Sequence, residues 1–161
     1  MGKYRGVIAL IFGSPPELEG NRKILKRAIE RSTELGRVLT ISAGKALKGL
    51  NDPHVLFAPP DKCKNTWRFC EWAAEVIKER GLENCDFLLE AEPDHATRCI
   101  RDFKWLGISV EEDNYFRAHN MHFYDPKSEQ WRTRPENRSS FLRREKILMR
   151  LPKWFYKITA G

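Results

Sequence analysis

An apolar run, an amphipathic helical segment and a second apolar run follow one another at the start of the chain, and this order constrains the fold most. The run over 6–12 is almost continuously apolar, as is typical of a strand buried on both faces. Between Leu18 and Leu35 the apolar residues recur with a helical period, and Gly36 follows as a helix end. A second strand is predicted over 37–42. These elements predict a βαβ unit with parallel strands and a right-handed crossover.

The same alternation continues along the chain. It predicts a helix over 65–82, a strand over 85–91, a helix over 95–106 and a short strand over 108–111. A length of 161 residues suits one domain. We therefore expect a single-domain α/β fold over 1–161, a Rossmann-like three-layer sandwich with a mainly parallel sheet.

The remaining segments carry weaker patterns. Residues 43–64 are expected to form a loop with a short edge strand near 54–58, and 113–135 a loop with extended pieces. A basic helical segment is predicted over about 136–158, with its apolar side including Phe141 and Phe155 and an interruption at Pro152.

Composition excludes several classes of protein. The longest apolar run is too short to span a bilayer and lacks a secretory cleavage pattern, so a cytoplasmic location is expected. The four cysteines form no CxxC pair and no zinc-like alternation with histidine, which predicts free thiols and no structural metal. His119 and His122 could share a metal if helical, but a surface or packed pair is favoured because no acidic ligand follows at fixed spacing.

The net charge of +7 belongs to the end of the chain. Residues 132–161 contain nine Lys and Arg against two Asp and Glu, which equals the whole excess. We therefore expect the basic character to be separate from any ligand crevice at the sheet. The basic positions that could contact nucleic-acid phosphates, alone or beside aromatic residues, are Arg132, Arg134, Arg138, Arg143 and Arg144. An anionic membrane surface would suit them equally. A docked C-terminal helix with a solvated basic face is favoured over both, because the apolar stripe of this segment suits core packing.

The junction after the strand over 85–91 is the strongest candidate site. Ligands of open α/β sheets bind where strands end and helices begin. Asp94 is expected to cap the following helix, which would place His95 and Arg98 on one helical face. There His95 could act as an acid or base and Arg98 could hold an anion, while Glu92 and Asp94 are further candidate acid–base groups. A capped surface helix without function is the alternative.

Turns after two other strands, and one more helix start, should reach the same sheet edge. The polar or glycine positions in these three places are Gly13, Ser14, Ser42, Gly44, Asn65 and Thr66. Their backbone N–H groups and side chains could hold phosphate or carboxylate. Ordinary turn chemistry and an ordinary helix cap explain them equally well. Neither a G-x-G-x-x-G fingerprint nor a Walker A motif is present, so a standard dinucleotide or P-loop site is not indicated.

The order of these motifs resembles the YdcF, SanA and ElyC family, a domain of unknown function. The matching segments are Phe12-Gly13-Ser14, Ser42-Ala43-Gly44, Cys63-Lys64-Asn65-Thr66 and His95-Ala-Thr-Arg98, the last of which matches the family's His-x-x-Arg. The chain departs from the family at Pro60, Arg68-Phe69 and Ala91-Glu92. The resemblance implies a Rossmann-like fold, with S-adenosylmethionine as a cofactor in one branch and envelope biogenesis in others.

These observations lead to competing hypotheses. The first is a small-molecule-binding protein that holds a nucleotide-like or phosphorylated anion at the carboxyl edge of the sheet, and that would be a phosphoryl or related hydrolase or transferase if enzymatic. The second is a nucleic-acid or acidic-surface binding module that uses the basic tail. The third is a family member that has lost its chemistry and serves as a scaffold.

Overall fold

The computed structural model describes residues 3–13, 15, 17–44, 50 and 52–160, with the backbone alone for 158–160. Its strands are β1 (Tyr4–Leu10), β2 (Leu39–Ser42), β3 (Val55–Phe57), β4 (Asp86–Ala91) and β5 (Ser109–Glu112). Its α-helices are α1 (Glu19–Glu34), α2 (Thr66–Glu79), α3 (Pro93–Trp105), α4 (Tyr115–Ala118), α5 (Arg138–Arg150) and α6 (Lys153–Ala160). Two 3₁₀ turns, Trp131–Thr133 and Pro135–Asn137, precede α5.

The five strands form one parallel sheet in the order β3-β2-β1-β4-β5. The chain leaves β1 toward β2 and β3 and later returns to the other side with β4 and β5. The strand order therefore reverses between β1 and β4, and such a switch point opens a crevice at the carboxyl ends of the strands. The predicted Rossmann-like fold is confirmed, including the short edge strand β3.

Alternate residues of the central strands bury both faces of the sheet. Ile8 on β1 and Leu89 on β4 pack with the apolar sides of α2 and α3 on one face. Val7 and Leu88 pack with α1 on the opposite face, where Phe116 and Phe123 of the segment after β5 complete the layer. This two-sided burial explains the continuous apolar runs in the sequence.

The residue predicted to cap the start of α3 was wrong. The side chain of Glu92, not Asp94, accepts the hydrogen bond at this helix start, from the Asp94 backbone N–H at 3.4 Å. Pro93 occupies the first helical position, where its fixed φ suits a helix and its missing N–H costs nothing. His95 and Arg98 still share one face, and both are 5% exposed.

The basic C-terminal segment folds back onto the domain as two helices that Pro152 separates. The expected apolar side was partly wrong. Phe155 is 40% exposed, whereas Tyr156 is fully buried between Trp67 and Trp105. The helix broken at Pro152 restarts at Lys153, and this new start sets which residues face the core.

The structure also bears on the expectations from composition. In the described part of the chain, no helix is both long and apolar enough to cross a membrane. All four cysteines, Cys63, Cys70, Cys85 and Cys99, are free thiols, as expected. A short helix, α4, lies within the segment that was predicted as a loop.

Candidate functional site

A cavity of about 400 Å³ lies at the carboxyl edge of the sheet, where β1 ends. The end of β1, the start of α2, α3, the first 3₁₀ turn and α5 all contribute to its wall. The described residues that line it are Leu10, Ile11, Phe12, Gly13, Ala43, Cys63, Lys64, Asn65, Thr66, Phe69, His95, Arg98, Gln130, Trp131, Arg132, Thr133, Phe141 and Arg144. Four of the predicted binding positions, Gly13, Asn65, Thr66 and Arg98, therefore meet here, together with His95.

The turn after β1 depends on a glycine. Gly13 has a φ of +82°, a left-handed conformation that other residues adopt at a cost. A Cβ at this position would lie 2.9 Å from both the Ser128 and Thr133 hydroxyl oxygens. Absence of a side chain thus lets the loop that carries Thr133 close over the end of β1.

The start of α2 brings polar groups to the cavity wall. The Asn65 side chain caps this helix by accepting a 2.8 Å hydrogen bond from the Arg68 backbone N–H. Lys64 precedes the cap, and Thr66 is the first helical residue. The positive end of the helix dipole therefore faces the cavity beside a hydroxyl and an ammonium group.

His95 is held by partners on two different elements. Its Nε2 lies 3.1 Å from Thr66 Oγ1 on α2, and its Nδ1 lies 3.2 Å from Glu145 Oε2 on α5. Burial, and next the positive charge of Arg98, lower the pKa of His95 below its ordinary value. The imidazole is therefore neutral at neutral pH.

Arg98 is the centre of a buried polar network. Its Nε donates to Glu145 Oε2 at 2.6 Å, and its Nη1 donates to the Tyr156 hydroxyl at 2.6 Å. Tyr156 in turn donates to Asp102 Oδ2 at 2.5 Å. Burial opposes ionisation of Glu145, but the proximity of His95 and Arg98 outweighs it and holds the pKa of this carboxyl at about 2. The network fastens α5 and α6 to α3.

The cavity wall has one sign of charge. Among the described lining residues, Lys64, Arg98, Arg132 and Arg144 are basic, and none is an aspartate or glutamate. Arg144 is partly desolvated: burial, followed by the charge of Arg98, lowers the pKa of its guanidinium. A site with several cations and low-dielectric walls attracts anions.

The separation of the basic tail from the crevice, expected from the charge count, was wrong. Arg132 and Arg144 both line the cavity, because the 3₁₀ turn and α5 return across the carboxyl edge of the sheet. Residues far apart in sequence thereby enter one site, which a charge count along the chain does not reveal.

Of the other three predicted binding positions, two do not line the cavity and the third lies outside the described residues. Ser42 is buried, its hydroxyl donates to the Ala43 carbonyl oxygen, and it does not line the cavity. Gly44 does not line the cavity either, but its N–H donates at 3.2 Å to Sγ of Cys63, which does. Ser14 lies outside the described residues. Within that second turn, Ala43 is the residue that lines the cavity.

Glu92 and Asp94 belong to a separate cluster with His122 and Arg138. Glu92 accepts hydrogen bonds from His122 Nδ1 at 2.8 Å and from the Phe123 N–H at 2.7 Å. Neither carboxylate lines the cavity. Ligand atoms of Glu92, Asp94 and His122 lie within 4.8 Å of one another, a spacing that a metal ion could use. Arg138 already places a guanidinium there, donating to Asp94 Oδ2 at 2.8 Å, with Nη2 3.0 Å from His122 Nε2.

One more histidine and two more arginines that the sequence analysis named do not line the cavity. His119 is exposed, and its Nδ1 lies 2.8 Å from the Tyr115 carbonyl oxygen rather than beside His122. Arg134 donates from Nε to the Ser128 carbonyl oxygen at 2.8 Å. Arg143 is exposed on α5 and does not line the cavity.

Glu145 is a candidate site residue that the sequence analysis missed. It is 6% exposed and touches both His95 and Arg98. A signal was present: Phe141, Glu145 and Leu148 are spaced by four and three, so this acid occupies the apolar stripe of a basic helix. A carboxylate in such a stripe needs a buried cationic partner.

Comparisons with known proteins found no match to this chain. The resemblance to the YdcF, SanA and ElyC family rests on the quoted motifs alone and stays a prediction. No protein-family model matches the chain, and no curated protein or solved structure shows significant similarity to it.

Proposed function

We propose that this protein binds a small phosphorylated ligand of nucleotide-like build in the cavity at the carboxyl edge of its sheet. The observation that carries the proposal is the charge of the wall: four basic residues and no acidic residue among the described lining. A wall of this kind suits a ligand with two or more negative charges.

The basic groups can surround a phosphate from several directions. Lys64 and the amino end of α2 approach from one side, and the backbone N–H groups of that helix end add partial positive charge. Arg132 and Arg144 approach from the segment that folds back over the cavity. Arg98 is largely committed to Glu145 and Tyr156, so Lys64, Arg132 and Arg144 are the main phosphate ligands.

The rest of the wall suits an aromatic or apolar group. Leu10, Phe12, Phe69 and Phe141 provide apolar surface, with Phe12 and Phe141 in edge-on contact at 5.2 Å. Trp131 is half exposed at the cavity, where its indole can stack on a planar ring. The aromatic residues of the wall would contact a base and its basic residues a phosphate, so a nucleoside monophosphate gives the best match.

The charge of the cavity wall also predicts which of two candidate ligands binds more tightly. S-adenosylmethionine, which the family resemblance suggests, carries a sulfonium cation and no phosphate. Four basic wall residues disfavour a cation in this cavity. We therefore expect adenosine 5′-monophosphate to bind more tightly than S-adenosylmethionine.

Calorimetric titration tests the proposal with adenosine 5′-monophosphate, inorganic phosphate and S-adenosylmethionine. The double variant Arg132→Ala/Arg144→Ala should weaken binding of the monophosphate by at least about tenfold, because each lost charged hydrogen bond is worth about 1.5–3 kcal/mol. Arg143→Ala is the control, since it removes an arginine of α5, the helix that carries Arg144, from a position that does not line the cavity. Equal affinities for the double variant and wild type would refute the proposed site.

The nucleic-acid alternative receives less support. Arg134 and Arg138 donate to protein acceptors, Ser128 and Asp94 respectively, which leaves fewer of the five arginines for phosphates of a polymer. The same variants separate the two functions, because a polymer bound along the exposed face of α5 would be weakened by Arg143→Ala as well.

A further inference from the structure

Thr66 and His95, which line the cavity, form a continuous hydrogen-bonded chain with the buried Glu145. Thr66 Oγ1 lies 3.1 Å from His95 Nε2, and His95 Nδ1 lies 3.2 Å from Glu145 Oε2. The three residues come from α2, α3 and α5, so only the folded structure brings them together. Hydroxyl, imidazole and carboxylate in this order are the parts of a nucleophile, a general base and its orienting group.

Two partners compete for His95 Nδ1. The Glu145 carboxylate, which can only accept, lies 3.2 Å from it, and Arg98 Nη2, which can only donate, lies 3.1 Å from it. Arg98 Nη2 has another acceptor in Thr66 Oγ1 at 3.3 Å, so we assign the proton of neutral His95 to Nδ1, where it points at the ionised carboxylate. The lone pair on Nε2 then faces the Thr66 hydroxyl. The base is thus directed at a side-chain hydroxyl rather than at open solvent.

The surroundings of Thr66 favour attack on an anionic centre. Thr66 lines the cavity as the first residue of α2, so the amino end of the helix favours negative charge on its oxygen. Arg98 Nη2 lies 3.3 Å from Thr66 Oγ1. Arg98 can therefore donate to a phosphoryl oxygen held at the same place.

We propose that Thr66 is the nucleophile, and His95 its general base, in hydrolysis of phosphate monoesters through a phosphothreonine intermediate. The inference rests on the proposed function, because it takes the phosphorylated ligand of the cavity as the substrate. Glu145 is a positioning residue: it orients the imidazole of His95 and does not touch the substrate.

The reaction balances with water as the only co-reactant. In the first step His95 Nε2 takes the Thr66 proton, Oγ1 forms a bond to phosphorus, and the bond from phosphorus to the ester oxygen breaks. That oxygen keeps the electron pair and receives the proton from His95, which releases the alcohol. In the second step His95 deprotonates water, whose oxygen attacks phosphorus. The bond from phosphorus to Oγ1 breaks, and Thr66 recovers the proton from His95.

The test uses the whole chain with p-nitrophenyl phosphate and adenosine 5′-monophosphate as substrates and p-nitrophenyl acetate as the carboxyl-ester comparison. Wild type and Thr66→Ser should release phosphate, whereas Thr66→Val and His95→Gln should lose activity by about 10²–10⁴-fold. Thr97→Val is the matched control, because it removes an exposed threonine hydroxyl from α3 outside the cavity. Acid-quenched wild type should gain the mass of one phosphoryl group, located on Thr66 by fragmentation.

Calorimetry with adenosine 5′-monophosphate on the same variants separates the two proposals and reports whether Thr66→Val is folded. Binding that depends on Arg132 and Arg144, without turnover of either phosphate ester by wild type, overturns this inference and leaves the proposed function intact. Undiminished turnover in Thr66→Val, or Thr66-dependent cleavage of the acetate alone, also overturns it. Absence of both binding and turnover overturns both proposals.

Discussion

Glu90 gives the sharpest test of the energetics of this fold. It lies on β4, faces α1 and is 1% exposed. The nearest guanidinium nitrogen, Arg27 Nε, is 3.8 Å from Glu90 Oε1, beyond a normal hydrogen bond. Burial, then the neighbouring Asp113 carboxyl, raise the pKa of Glu90 from 4.5 to about 10, against the opposing effect of Arg27 and Arg31.

This shift makes Glu90 a source of instability at neutral pH. The unfolded chain releases the proton above pH 4.5, whereas the folded chain keeps it up to about pH 10. Stability from this group is therefore complete below pH 4.5 and declines as pH rises, by about 1.4 kcal/mol per pH unit. By pH 7 the loss amounts to about 3 kcal/mol, a large part of the stability of an ordinary domain.

The substitution Glu90→Gln replaces a neutral carboxyl by a neutral amide of almost the same shape. It should leave the free energy of unfolding nearly unchanged at pH 4.5 and raise it by about 3 kcal/mol at pH 7, because Gln binds no proton in either state. Urea denaturation at several pH values between 4.5 and 8 measures the difference.

Glu75→Gln on α2 is the matched control, since its side chain is exposed in the fold and should give a difference that does not vary with pH. A variant Glu90→Gln that loses stability relative to wild type as pH rises would refute the reasoning. It would show that Glu90 is ionised and stabilised by Arg27.

Three further substitutions test other parts of the structure. Gly13→Ala should lower the free energy of unfolding by at least about 1–2 kcal/mol in urea denaturation, because its φ is +82° and the added Cβ meets two hydroxyl oxygens at 2.9 Å. Tyr156→Phe should cost about 1–3 kcal/mol in the same assay, because Arg98 and Asp102 each lose a buried partner. Glu145→Gln should cost roughly 3–5 kcal/mol at pH 7. It should also remove the loss of wild-type stability as pH falls from 4.5 toward 2, which denaturation across that range would detect.

The strands and helices could be predicted from the local pattern of apolar residues, because both faces of the sheet are covered. Continuous apolar runs predicted β1 and β4, and helical periodicity predicted α1 and α2 within a few residues. The edge strand β3 was also found. The cap of α3 was missed because Glu92, an uncommon cap residue, precedes a proline that favours the first helical position. The exposure of Phe155 was missed because the break at Pro152 changed the phase of the last helix.

Site residues near strand ends were partly predictable for a topological reason. Carboxyl ends of parallel strands share one edge, so Gly13 and His95 were expected to meet, and both line the cavity. Glu92 and Asp94 were grouped with them by proximity in sequence, yet their side chains turn to His122 and Arg138. Direction of a side chain at a helix start depends on what packs there, which no local pattern encodes.

The sequence by itself determined the α/β class, the parallel sheet and the pairing of His95 with Arg98 on one helical face, because strand and helix periods are local properties. Only the tertiary structure decided what that pair does. The return of α5 across the sheet edge adds Glu145 to His95 and brings Arg132 and Arg144 to the cavity. These contacts depend on how a late segment packs against an early sheet, and burial then sets the charge state of each group that they join.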